Sequence, residues 1–139
     1  MRRDDRGIGG GDFTDVSILN LIVLRCADID RTRSFYESFD LRFERHRHGS
    51  GPEHYGTVDD REAVVELYPA SERNPADRCG VGFGVPDLDR TAAALRSRGF
   101  DPGPTAQNPW GETFVVRDPD GRRVEVKHEP ANRTLNKEH

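Results

Sequence analysis

The sequence is poor in several features on which a chain of 139 residues can be built. It has two cysteines, Cys26 and Cys79, in neither a CxxC pair nor a zinc-type cluster. A disulfide framework and a thiolate metal site are therefore excluded, and both are read as reduced, packed thiols. No apolar run approaches the roughly 18 residues that cross a bilayer, and the Met1-Arg2-Arg3 start is not followed by the hydrophobic stretch of a signal peptide. A cytoplasmic protein without a membrane partner is the expectation. Excess basic charge is also missing. Lys and Arg number 21 against 25 Asp and Glu, a net charge of −4 with the signs interleaved. That leaves no basic stripe for phosphates and no expected nucleic-acid partner. There is no Gly-x-Ser-x-Gly, and Gly7-Ile8-Gly9-Gly10-Gly11 precedes any strand, so neither a nucleophile elbow nor a phosphate loop is present. Apolar residues are scarce at 33%. Part of the shortfall lies in residues 1–17 and 129–139, which lack apolar periodicity and read as flexible tails around one domain, 18–128.

What the chain does have is a repeat. Shifted by 59 residues, Asp28-Ile29-Asp30-Arg31-Thr32 falls on Asp87-Leu88-Asp89-Arg90-Thr91, Glu53 on Glu112, and Val65-Glu66 on Val124-Glu125. Nine of the 51 pairs from Ile18/Asp77 to Tyr68/Lys127 are identical, where chance gives about three. The domain therefore divides into a module over 18–68, a polar linker with two prolines over 69–76, and a module over 77–128. In each, an apolar strand (Leu21 to Cys26, Val81 to Val85) leads to an aspartate placed to cap a helix, Asp28 or Asp87. Phe35, Tyr36 and Phe39 in the first helix and Leu88, Ala92 and Leu95 in the second recur at helical spacing. Three extended segments follow each helix, over 41–47, 53–58 and 63–68, then 100–106, 112–117 and 122–128. The last two are joined by the turn Asp118-Pro119-Asp120-Gly121. The unit is βαβββ, present twice.

A sheet carrying one helix leaves its other face bare, and period-two alternation sorts the side chains. With Ile22, Leu24 and Cys26 against the helix, Leu21, Val23 and Arg25 face a cavity, as do Gly80, Gly82 and Gly84 in the second copy. Three glycines on one strand face read either as room for a bulky ligand or as a sheet bend or tight subunit contact. The same alternation turns Glu66 and Glu125 inward, with Tyr68 beside the first. Without a metal these carboxylates would attract a cationic ligand group or pair with Arg25, Arg123 or Lys127, and pairing is expected because unpaired buried carboxylates are costly.

Asp28-Ile29 with Phe35-Tyr36, then Pro109-Trp110-Gly111, then Asp118-Pro119-Asp120-Gly121 with Glu125 resembles the vicinal oxygen chelate superfamily of glyoxalases, bleomycin-resistance proteins and extradiol dioxygenases. The resemblance covers residues 18 to 128. It implies an α+β fold of tandem βαβββ modules forming a concave mixed sheet. Enzymes of the superfamily typically hold one divalent metal, with a ligand at the start and the end of each copy; by position these are Leu21, Glu66, Gly80 and Glu125. Leu21 and Gly80 have no side chain that binds a metal, and two carboxylates alone make a poor cage. His46 and His48 share a strand face and His54 begins the next strand, but the arginine-rich, glycine-broken stretch from Arg45 to Gly51 reads as an exposed strand end.

The expectation is a cleft without metal or other cofactor that binds a small organic molecule. Trp110, the only tryptophan, is either core filling or a stacking platform, and Tyr55, aligned with Phe114, is a second platform. The cleft set comprises Leu21, Arg25, His54, Tyr55, Glu66 and Tyr68 from the first module. The second supplies Gly80, Gly82, Trp110 and Glu125. By resemblance to the bleomycin-resistance-like proteins, the function is sequestration of a bulky, partly aromatic compound such as an antibiotic, by a homodimer. One alternative is a metal-dependent glyoxalase- or dioxygenase-like enzyme with one divalent ion on Glu66, Glu125 and His54. A metal-free acid/base pair and a purely structural dimer are the others.

Overall fold

The computed structural model describes residues 16–58 and 63–130. The two tails lie outside the described residues except for 16, 17, 129 and 130. The first module runs β1 (Leu21–Cys26), α1 (Ile29–Glu37), β2 (Phe43–His46), β3 (His54–Thr57) and β4 (Val64–Pro69). The second runs β5 (Val81–Val85), α2 (Leu88–Ser97), β6 (Ala106–Asn108), β7 (Gly111–Arg117) and β8 (Arg123–His128). Each module is one four-stranded mixed sheet, ordered β1-β4-β3-β2 and β5-β8-β7-β6. First and last strands pair in parallel, the rest antiparallel. No helix among the described residues is long and apolar enough to cross a membrane.

The repeat is kept at the level of single contacts. Leu24 lies opposite Leu67, and 59 residues later Phe83 lies opposite Val126. Asp28 accepts hydrogen bonds from the backbone N–H groups of Asp30 and Arg31, and Asp87 accepts one from Arg90, so both helices are capped as expected. Past the helices, Asp40 and Gly99 occupy equivalent places at φ of 65° and 87°. The largest departure is the sixth strand, expected over 100–106 and found at Ala106–Asn108. Pro102 and Pro104 have no N–H to give a ladder, although Gly103 still donates to the Val115 carbonyl.

Both modules feed one core. Phe35, Leu67, Leu95, Val124 and Val126 are fully buried within it, each contributing about 1.5–3 kcal/mol by leaving water. Phe39, just past α1, stacks on Phe83 of β5 at 4.2 Å, and Phe35 meets Phe100 edge-on at 4.9 Å. The helix-bearing sides of the two sheets thus turn toward each other. Their bare faces turn away from the common core.

Arg122 locks this arrangement. Its guanidinium, fully buried, donates to Asp118 at 2.8 Å, Asp77 at 2.9 Å and Asp120 at 3.3 Å, and to the Arg25 carbonyl at the end of β1. Asp118 also accepts from the Tyr36 hydroxyl at 2.7 Å, and Asp120 from the Ala27 N–H at 3.0 Å. Burial, reinforced by Asp118, pushes the Tyr36 hydroxyl far up, so it stays a donor. Burial alone would lower the Arg122 pKa, but hydrogen bonds to Asp77 and Asp118 carry it above its ordinary value.

Arg122→Met is expected to lower the unfolding free energy by about 3–5 kcal/mol in urea titrations, because it strands buried carboxylates. A loss under 1 kcal/mol would mean that the network is not a lock. Hydrogen bonds from Arg122 hold the Asp77 carboxyl well below its usual range. This stabilisation is complete above the ordinary value of about 3.9 and fades as pH falls below it. Melting temperature measured from about pH 5 to about pH 2 should therefore drop, and Asp77→Asn should flatten that slope.

Candidate functional site

On the bare face of the first sheet, the register sets side chains in rows across the strands. Arg25 lies opposite Tyr68, and His46 opposite His54. The β3–β4 register continues the row, with His54 stacked on Tyr68 at 4.1 Å and 9° and Arg25 over the Tyr68 ring at 4.9 Å. The next row is Val23, Glu66, Gly56 and Glu44. The bare face of the second sheet carries the equivalent row Gly82, Glu125 and Val115.

The expected residues divide accordingly. Leu21, Arg25, His54, Glu66 and Tyr68 share the first bare face, while Gly80, Gly82 and Glu125 lie on the second. Glu66 and Glu125 are half-buried, and neither has an ion pair among the described residues, contrary to the expected pairing. Tyr55 is not on the face at all. It lies opposite Leu67 on the helix side, buried, donating to Asp30 at 2.5 Å and accepting from Arg45 at 2.6 Å. Alternation along β3 makes it core if His54 is cleft. Trp110 is 53% exposed, which excludes core filling; it sits in the β6–β7 turn, before Gly111 at φ of 124°. Cys26 is buried and its thiol pushed up to about 11 by burial, whereas Cys79 is exposed and not packed as expected.

The glycine row is only partly open. A Cβ on Gly80 or Gly82 would meet nothing nearer than a backbone oxygen at 4.0 or 3.9 Å. One on Gly84 would collide with the Glu129 side chain at 2.5 Å, so the space over that glycine is filled from within the chain.

The three histidines named from the sequence come together on this face. His54 is 1% exposed, and its ring lies 5.8 Å from His46 and 5.1 Å from His48; in the stretch expected to be exposed, His48 is exposed and His46 half-exposed. Its Nδ1 is 3.2 Å from the Pro52 carbonyl. A carbonyl only accepts, so Nδ1 is the donor, and in the neutral ring Nε2 then presents a lone pair. That Nε2 is buried without a partner. The cross-strand pairing of His46 with His54 is the signal that could have found this group.

A metal at the superfamily positions does not fit these residues. Leu21 and Gly80 offer no donor, Glu66 and Glu125 stand on different sheets, and no three His, Cys, Asp or Glu among the described residues are arranged around an ion.

A family model of the Glyoxalase/Bleomycin resistance protein/Dioxygenase superfamily matches residues 18–126. The chain belongs to that superfamily. Among solved structures, it is similar to TnmS3, an antibiotic binding protein from Streptomyces sp. CB03234, at 19% identity over 82% of this chain and 97% of that one, with a TM-score of 0.68. The oxidase ChaP-H1 is similar at 22% identity over 83% and 98%, with a TM-score of 0.64. TioX from Micromonospora sp. ML1 is similar at 22% identity over 81% and 100%, with a TM-score of 0.62. At such identities these likenesses establish the fold. A comparison with the curated proteins returns no match.

The exposure of Trp110 has a direct readout. Its emission should be that of a solvent-exposed indole and be quenched readily by iodide in the ligand-free protein; blue-shifted emission resistant to iodide would place it in a packed environment instead.

Proposed function

We propose that this chain sequesters a bulky, partly aromatic small molecule, such as an antibiotic, in clefts formed jointly by two copies. The ligand is held by enclosure and stacking, with no metal or cofactor at Leu21, Glu66, Gly80 and Glu125, and the protein acts in the cytoplasm. Gly82 carries the reading. Its φ is not positive, so the backbone does not require glycine there, and a glycine inside a strand costs stability. A Cβ would fit, so what the position gains from glycine is room above the sheet, beside Glu125. Sequestration requires affinity and no transition-state stabilisation, which is compatible with leucine and glycine where the superfamily's enzymes hold metal ligands.

The second copy is supported by the apolar surface around β1. Ile18 is 65% exposed, Leu19 68% and Leu21 47%, with Val23 and Val64 beside them. Monomers rarely leave such contiguous surface uncovered. Because the bare faces point away from the chain's own core, a space walled by a sheet on both sides needs a partner chain. The description of TnmS3 as an antibiotic binding protein agrees with this reading; the oxidase neighbour marks turnover as the alternative.

The test is a titration of Trp110 fluorescence with peptide antibiotics, quinones and other planar natural products, alongside sedimentation to measure the mass. Saturable quenching by a dimer with no product formed is expected. Gly82→Leu should weaken binding at least about 10-fold, as about 1.4 kcal/mol of lost enclosure would, with an unchanged melting temperature. Product accumulating with turnover would make the protein an enzyme, and unaltered affinity in Gly82→Leu would remove the ligand from this face.

A further inference from the structure

We propose that His46, His48 and His54 form a binding site for one divalent transition-metal ion of the zinc, cobalt or nickel class. The inference goes beyond the ligand-binding reading and does not rest on it. The backbone supplies the frame. His46 and His54 are directly opposed on β2 and β3, and His48 follows His46 by two residues, so all three project on the bare side of one hairpin. The ring centroids stand 5.1, 5.8 and 6.1 Å apart. Three imidazoles around a tetrahedral ion, each nitrogen at 2.0–2.1 Å, place their centroids about 5 Å apart. The cluster is therefore near the required spacing before any ion arrives.

His54 is prepared as the anchoring donor. Its Nδ1–H is held by the Pro52 carbonyl, the outer hydrogen bond that metal-bound imidazoles almost always make, which fixes the tautomer and orients the ring. Tyr68 stacks flat on it. What remains is a buried Nε2 lone pair with no partner, an arrangement that a packed interior does not keep without cost. The other two donors are adjustable. As they stand, the nitrogens do not converge on a point, and the rings of His46 and His48 lie parallel at 6°. His48 is exposed and His46 half-exposed, so rotation about their side-chain torsions turns both toward His54 without disturbing the core. Glu44, 3.6 Å from His46 Nε2, adds the negative charge that a dication favours. Imidazole donors suit zinc, cobalt and nickel and not magnesium or calcium.

Full-length, tag-free protein stripped with chelator is titrated with Co²⁺, read by its visible ligand-field absorption, and with Zn²⁺ by calorimetry. One ion per chain is expected, with affinity falling in acid because ligand nitrogens must be deprotonated to bind. His46→Ala and His48→Ala should each weaken binding by more than the roughly 10–100-fold that loss of an outer partner alone costs. Neither should change the melting temperature of the metal-free protein. His128→Ala, at the far end of β8, should bind like the parent. Absence of saturable one-to-one binding, or equal affinity in the His46 and His48 variants, overturns the proposal. Both results are independent of the organic-ligand titration, which is done in metal-free buffer.

Discussion

The arrangement of the molecule depends on one buried guanidinium. Arg122 immediately precedes β8, yet its partners lie at the end of β1, before β5 and in the turn ahead of it. A point charge on a flexible stem could not reach all of them, whereas a planar fork with five donors can. The position equivalent to Arg122 in the first module is Ala63. The lock is therefore made once, by the second copy, and the symmetry of the repeat is broken there. Because it holds the helix-bearing sides together, it also helps determine which two faces remain uncovered, the faces on which the proposed ligand and metal sites lie.

The two bare faces are built on one plan with different gaps. Their central rows each carry a glutamate, Glu66 or Glu125, at the same register. In the first sheet the missing side chain is on β3, at Gly56, with valine at the edge; in the second it is at the edge, at Gly82, with Val115 where Gly56 would be. The first face adds a band of Arg25, Tyr68, His54 and His46 that has no counterpart in the second, where the matching places hold Gly84, Lys127, Thr113 and Thr105. The two copies share the scaffold and differ both in the core, where Phe35 and Tyr36 match Ala94 and Leu95, and on the bare faces.

The scaffold was legible because short-range rules govern it. Asp28 and Asp87 cap helices through bonds spanning two or three residues, and alternation assigned Leu24, Cys26 and Val85 to the core and Phe83 against it, failing toward the strand start, where Ile22 is exposed. The site was less legible. Tyr55 was misplaced although the same alternation, carried one residue from His54, puts it on the helix side; its alignment with the buried Phe114 pointed the same way. The burial of His54 could not be read from the arginines around it, because Arg45 and Arg47 satisfy themselves on Glu53, leaving the imidazoles to pack on the opposite face. Arg122 gave no local sign of its burial. Its partners are spread over nearly a hundred residues, and only the folded chain brings them together.

Glu129 follows β8 directly, its N–H bonded to the Val85 carbonyl and its side chain laid over Gly84. The chain thus supplies its own end wall to the glycine channel as it leaves the sheet. In the proposed cleft, this exit point and not the span of β5 would set the length open to a ligand. Changes to the residues just past β8 would lengthen or shorten the compartment without altering a single strand.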